Sequence, residues 1–405
     1  MTRIRLLTLL ASAFPFFATL ATLAPVASNS NALGQATKPP ALVGSITGIS
    51  EPTTRQVVQR RDDNVGAILV IGTYAGNVGG FQARSFLRPG MAGQPVGWTA
   101  LQSVVLFQGH FVGTLRQPAG GFYDLQVRPT YDTQVGTPVT IYAVGVGEVF
   151  ITAGQSNTTN SSSPTGFSPD IRVSSFNPGP SLGIDPAFPG ASWQYGIDPQ
   201  PVLDQTSAGS TWPTMANNLA VVLNVPIGLY SAGCGGTVIH EWLPGYVKPA
   251  TYTTPPLILF NRLVNAINYF NNRGGVRAVL WLQGESDYGN GTNPVTYQNQ
   301  LKTVIDQSRV ATGVPIKWMV GRTTVAVDDN PSQKQSIRAA QASVADYRLT
   351  FPGPDADSIG LAYRNPSSYG PLHFNAAGVV LLGNYWGIHV ANISGFLAPG
   401  ALTPR

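Results

Sequence analysis

Over residues 42–147 the apolar positions come in short runs between turn residues. Residues 67–72, 104–107 and 139–144 are such runs, and residues 121–128 alternate apolar and polar side chains. A period of two is the mark of a strand with one face on a core. Pro138 stands just ahead of the last run, where the start of a strand tolerates it. Strands of this length at short spacing predict a small β-sandwich over 42–147.

The pattern changes near Glu148. Residues 149–153 form an apolar run that ends in Gly154-Gln155-Ser156-Asn157, and from there strand-like and helix-like periods alternate. Trp212, Met215, Leu219 and Val222 lie at helical spacing, with Pro213 suited to a first turn. Residues 225–230, 276–282 and 316–320 read as strands. Helical sets are Phe260, Leu263, Val264 and Ile267; Tyr297, Leu301, Val304, Ile305 and Ser308; and Ile337, Ala340 and Val344. A last helix starts at Asn375, a good N-cap, and runs through Val379, Leu382 and Trp386. This rhythm predicts a parallel sheet covered by helices on both faces over residues 148–395, followed by a tail, 396–405. Residues 160–210 are rich in Ser, Gly and Pro without clear periodicity, and read as a long loop on the rim of the site.

Composition narrows the function classes. Hydrophobic residues make up 43% of the 405 and charged residues 11%, which suits a packed chain of two domains rather than a disordered one. The formal charge is +5, two of those charges are Arg3 and Arg5, and no Lys/Arg run occurs, so nucleic acid is not an expected partner. Cys234 is the single cysteine, so no internal disulfide forms. His110, His240, His373 and His389 lack ligand spacing, and neither metal nor cofactor is expected. Residues 1–27 read as a signal peptide: two arginines, an apolar stretch and small residues at the end. A membrane anchor is the competing reading, weakened by Pro15. Residues 28–41 read as a linker, and the expected location is secreted or periplasmic, with no membrane contact beyond export.

In such sheets chemistry sits beyond the carboxyl ends of the strands. Ser156 follows the first strand in a tight turn, where a hydroxyl can be exposed to a base; Thr158 rules out the G-x-S-x-G elbow. The loop 231–237, with Gly233, Gly235 and Gly236, can offer backbone N–H groups to an oxyanion. After the next strand come Gln283, Glu285 and Asp287, an amide and two acids. Trp242 is a sugar-stacking wall or a core residue. His373, just ahead of the last helix, is the best-placed general base.

Gly154-Gln155-Ser156-Asn157, Gly235-Gly236-Thr237, Gln283-Gly284-Glu285-Ser286-Asp287 and His373-Phe374 together resemble the four blocks of the SGNH hydrolase superfamily, and within it the sialate O-acetylesterase and acetylxylan esterase branch (carbohydrate esterase family 6). The resemblance spans roughly residues 146–395. It implies a three-layer α/β/α fold of flavodoxin-like type that hydrolyses O-acetyl esters of carbohydrates. Ser156 would attack the carbonyl and His373 would take its proton. The backbone of Ser156 and of Gly235 or Gly236, with the Gln283 side chain, would hold the oxyanion. The family's usual Asp three residues before the histidine is Gly370 here. Either a backbone carbonyl orients His373, or a carboxylate stands in, Glu285 first and then Asp357 or Asp355, or the protein is a weak or inactive member that only binds glycans. The partner implied is an acetylated carbohydrate.

Overall fold

The computed structural model describes residues 42–165, 170–250, 256–325, 331–366 and 371–397. The expected signal peptide and linker, Gly370, and residues 398–405 of the expected tail lie outside the described residues.

The N-terminal part is built from two antiparallel sheets. One has the order β1 (Ser45–Glu51), β3 (Val65–Ala75), β7 (His110–Pro118), β6 (Gln102–Phe107). In the other, β4 (Gly80–Leu87) pairs β5 (Thr99–Ala100) and β8 (Gly121–Tyr131), and β8 pairs β9 (Gln134–Val135) and the first half of β10 (Val139–Gly154). The short β2 (Val57–Gln59) runs parallel to β10. Alternate residues face inward, and the rings of Phe81 on β4 and Phe111 on β7 stack at 3.7 Å.

β10 continues without a break into a second environment. Residues 139–146 pair antiparallel with β8, and 148–154 pair parallel with two new neighbours. The point where the sequence pattern changes is therefore inside one strand. Glu148 sits there with no exposure, bonded to Arg60 Nε and Arg277 Nε at 2.7 Å each and to Gln59. A buried carboxylate is tolerated only when matched this closely.

The second sheet has the order β12 (Ser192–Tyr195), β11 (Val173–Asn177), β13 (Ile227–Ser231), β10, β14 (Ala278–Leu282), β15 (Lys317–Arg322), β16 (Thr350–Asp355). All pairs are parallel except β11–β12. Helices cover both faces. Phe150, Leu280 and Met319 share a core with α1 (Trp212–Leu223) and α6 (Ala376–Asn392). Val149, Ile151, Trp281 and Trp318 share the other with α2 (Leu259–Asn272), α4 (Pro294–Thr312) and α5 (Pro331–Ser343). A one-turn helix, α3 (Glu285–Gly289), follows β14. Asn375 caps α6 by accepting from the Gly378 N–H at 3.0 Å, and Asn293 caps α4 in the same way.

Three details differ from the sequence reading. The stretch 160–210 contains β11 and β12, hidden because β11 is Val-Ser-Ser-Phe-Asn with both serines buried. β16 carries two prolines and a glycine, which an edge strand accepts. Val222 is 68% exposed at the outer side of α1. Among the described residues no helix is long and apolar enough to cross a membrane.

Candidate active site

The turn after β10 is forced by Gly154. Its φ is +133°, and a Cβ there would stand 2.0 Å from the Leu282 carbonyl. Only glycine allows the strand to close on its neighbour and release Ser156 at the surface. Ser156 is half-buried and opens a 3-10 turn, Ser156–Thr158. Among the described residues neither its hydroxyl nor its N–H has a hydrogen-bond partner. Such an amide is free to meet an oxyanion.

Asn157, next in the chain, points inward. Its Nδ2 donates to Glu285 Oε1 at 2.7 Å and to the Leu372 carbonyl at 3.2 Å. Leu372 precedes His373, so this amide ties the serine turn to the histidine turn. The histidine segment is strapped from other sides as well. Arg364 Nη1 donates to the Leu372 carbonyl at 2.7 Å, the Asn365 N–H to the His373 carbonyl, and the Phe374 N–H to Ser162 Oγ. His373 is half-buried. Burial, and then the charge of Arg364, lower its pKa below the ordinary value of 6.5. The imidazole is therefore neutral near pH 7, the state a general base needs.

The glycine loop packs against the serine. A Cβ on Gly233 would stand 2.2 Å from Thr158 Oγ1, and one on Gly235 3.7 Å from Ser156 Cβ. From below, buried Arg262 on α2 bonds the carbonyls of Ser231, Ala232 and Gly233. The Gly235 N–H is already engaged, donating to Asp204 Oδ2 at 2.8 Å. The other Asp204 oxygen accepts from Thr206 Oγ1 at 2.8 Å. Gly236, exposed and at φ +67°, has no partner for its N–H among the described residues.

The third block turns inward. Gln283 has no exposure, and its Nε2 donates to the Thr237 carbonyl at 3.0 Å, to Asp287 Oδ2 and to Gln155 Oε1. Its donors are thus spent on the scaffold rather than aimed at the surface beside Ser156. Glu285 is buried, and its Oε1 accepts from Asn157 and from Thr323 Oγ1 at 2.9 Å. Burial raises the pKa of both Glu285 and Asp287. No bond joins either to the His373 ring among the described residues. Asp355 is paired with Arg338, and Asp357 accepts from the N–H and hydroxyl of Thr324. Trp242 is fully buried against Trp281 and so is a core residue. His240 is exposed beside Tyr246, and His389 contacts the Tyr385 carbonyl within α6. No group of three or more metal-binding side chains occurs among the described residues.

Sequence reasoning missed Asp204 and Arg262. Asp204 lies in a loop without periodicity. Arg262 sits between the apolar Phe260 and Leu263, where a charge reads as an exposed position on a helix.

A serine with a hydroxyl unpartnered among the described residues, a histidine turn tied to it through Asn157 and a glycine loop thus lie together at the ends of these strands. A profile of the family described as carbohydrate esterase, sialic acid-specific acetylesterase, matches residues 146–390, more than half of the chain. The chain belongs to that family. It is accordingly a carboxylic ester hydrolase of the carbohydrate esterase class. A carbohydrate acetylesterase from Xanthomonas citri is similar in fold: 19% identity, TM-score 0.53, covering 86% of this chain and 75% of that one. Lower similarities include a protein from Arabidopsis thaliana (20% identity, TM-score 0.47, covering 61% and 98%). A family two carbohydrate esterase from Cellvibrio japonicus is also similar (10%, TM-score 0.36, 87% and 99%). No curated protein sequence matches the chain.

Proposed function

We propose that this esterase removes O-acetyl groups from carbohydrates through an acyl-enzyme on Ser156. The observation that carries the reading is Asn157: one buried amide holds the nucleophile turn and the His373 turn together. His373 takes the serine proton as the hydroxyl attacks the acetyl carbonyl, then returns it to the departing sugar oxygen. Water repeats the sequence on the acyl-enzyme and releases acetate. The N–H groups of Ser156 and Gly236 are the oxyanion donors open at rest, and that of Gly235 joins when Asp204 gives way. Glu285 supports the base at one remove, by fixing Asn157, and Gln283 supports the loop that carries the oxyanion donors. The two N-terminal sheets act as an accessory β-sandwich, and the basic, apolar N-terminal sequence supports export.

Acetate release from 4-nitrophenyl acetate and acetylated xylan, by the parent, Ser156→Ala and His373→Ala, tests the proposal. Turnover by the parent, with both variants down about a hundredfold or more, is expected. An inactive parent would favour a glycan-binding protein on the same fold, a reading that Asp204 on the Gly235 amide independently supports.

A further inference from the structure

The outer face of the β5–β4–β8 sheet carries a pattern that neither the catalytic centre nor the core uses. Alternation along β4 turns Gln82, Arg84 and Phe86 outward, and along β8 it does the same for Asp124, Gln126 and Arg128. The register sets Gln82 opposite Arg128 and Arg84 opposite Gln126. Each facing pair is bonded: Arg84 Nε donates to Gln126 Oε1 at 2.9 Å, and Arg128 Nε and Nη2 to Gln82 Oε1 at 3.0 and 2.7 Å. Trp98, just before β5, ties the rows together. The Arg128 guanidinium lies 3.9 Å and that of Arg84 4.6 Å from its ring centroid, and Arg84 also covers the 45%-exposed Phe86.

Several arginines of the molecule are matched by carboxylates. Arg60 and Arg277 share Glu148, Arg88 has Asp124, Arg116 has Asp63, Arg172 has Asp170 and Arg273 has Glu51. Arg84 and Arg128 have only neutral amide oxygens, and no carboxylate pairs with either among the described residues. A guanidinium carries five donors in a planar fork suited to a carboxylate. Here two such forks are held rigid by amide partners and an indole, so little side-chain freedom is lost on binding. Diagonal positions on paired strands lie about 7–8 Å apart. The face thus offers two fixed cationic sites beside aromatic rings, complementary to a chain of carboxylates rather than to a neutral polymer.

We propose that this face is a second glycan-binding site, for a carboxylate-bearing polysaccharide, separate from the catalytic centre. Two cations interspersed with amides and aromatic rings suit a sugar chain with spaced charges better than the dense phosphates of nucleic acid.

The test uses the whole chain and polygalacturonate as probe, in affinity electrophoresis and calorimetry, with unsubstituted xylan as the neutral control. The parent is expected to bind polygalacturonate, more weakly as salt rises, and xylan little. Arg84→Gln with Arg128→Gln should weaken polygalacturonate binding tenfold or more, and Trp98→Ala should weaken it several-fold. Turnover of 4-nitrophenyl acetate and the thermal midpoint of the double glutamine variant should match the parent. The proposal falls if the parent does not bind polygalacturonate or if the arginine variants bind it equally well. It falls also if duplex DNA of equal charge binds as tightly through the same residues.

Discussion

At the end of β10, Ser156 keeps its hydroxyl and its amide unpartnered among the described residues and half open to solvent. At the end of the adjacent β14, Gln283, Glu285 and Asp287 are buried and bonded. Both turns are polar segments that follow apolar strands, and in sequence they look equally suited to chemistry. The difference is in direction. Gly154 lets the β10 turn leave the sheet outward, while the Gln283 and Asp287 side chains turn back to hold the Thr237 carbonyl and the Ile239 N–H. In the proposed mechanism one turn reacts and its neighbour holds the first in place.

Substitution separates the two roles. Ser156→Ala is expected to lower kcat by about four decades or more. It should leave stability within roughly 0.5 kcal/mol, because the hydroxyl supports nothing. Kinetics together with a urea midpoint measure both. Gln283→Leu should show the reverse balance. It strands the Thr237 carbonyl and takes one donor from Asp287, whose Oδ2 keeps the Ile239 N–H, at a cost of about 2–4 kcal/mol in stability, with kcat of the folded fraction within about tenfold of the parent. A loss of two to three decades in kcat with an unchanged midpoint would return Gln283 to the oxyanion hole.

Asp204 sharpens the contrast, because it is a scaffold-type contact placed on the reactive side. In the proposed mechanism the Asp204 oxygen that accepts from the Gly235 N–H competes for it with the developing oxyanion. Asp204→Ala should therefore raise kcat/KM for 4-nitrophenyl acetate, by up to about tenfold, less than the worth of a full oxyanion donor. A fall in kcat/KM would mean that Asp204 holds the loop in its working shape.

Much of this was legible in the sequence, and the gaps have physical causes. The helices of the sheet domain followed from their apolar period, and the placement of the Ser156 turn followed from an apolar run ending in Gly-Gln-Ser. β11 escaped notice because two of its five residues, Ser174 and Ser175, are polar yet buried, the second bonded to Gln200, so its burial does not show as an apolar run. The continuity of β10 escaped notice because Glu148 reads as a surface charge until Arg60 and Arg277 are brought to it from far along the chain. Asp204 and Arg262 act through backbone groups of other segments, and no local pattern encodes such contacts.

The same contrast extends to pH. A histidine held by a carboxylate has its pKa raised, whereas His373 is lowered by burial and by the Arg364 guanidinium. The proposed general-base role needs the neutral ring, so the acid limb of kcat/KM should fall below pH 6.5. Its stability contribution has the same sense. Between the folded value and 6.5 the unfolded chain binds more protons, so stability rises with pH there. Glu285 runs the other way: its raised folded pKa favours the folded state at low pH, an advantage lost as pH rises above about 4.5. Glu285→Gln keeps an oxygen for Asn157 and Thr323 while removing this titration. The variant should therefore gain stability relative to the parent as pH rises from 5 to 7. Its kinetic limb should stay where the parent's lies, since Glu285 touches Asn157 and not the imidazole. A limb at or above pH 6.5 in the parent that drops in Glu285→Gln would mean a direct acid–imidazole contact during turnover, and the buried cluster would then belong to the chemistry after all.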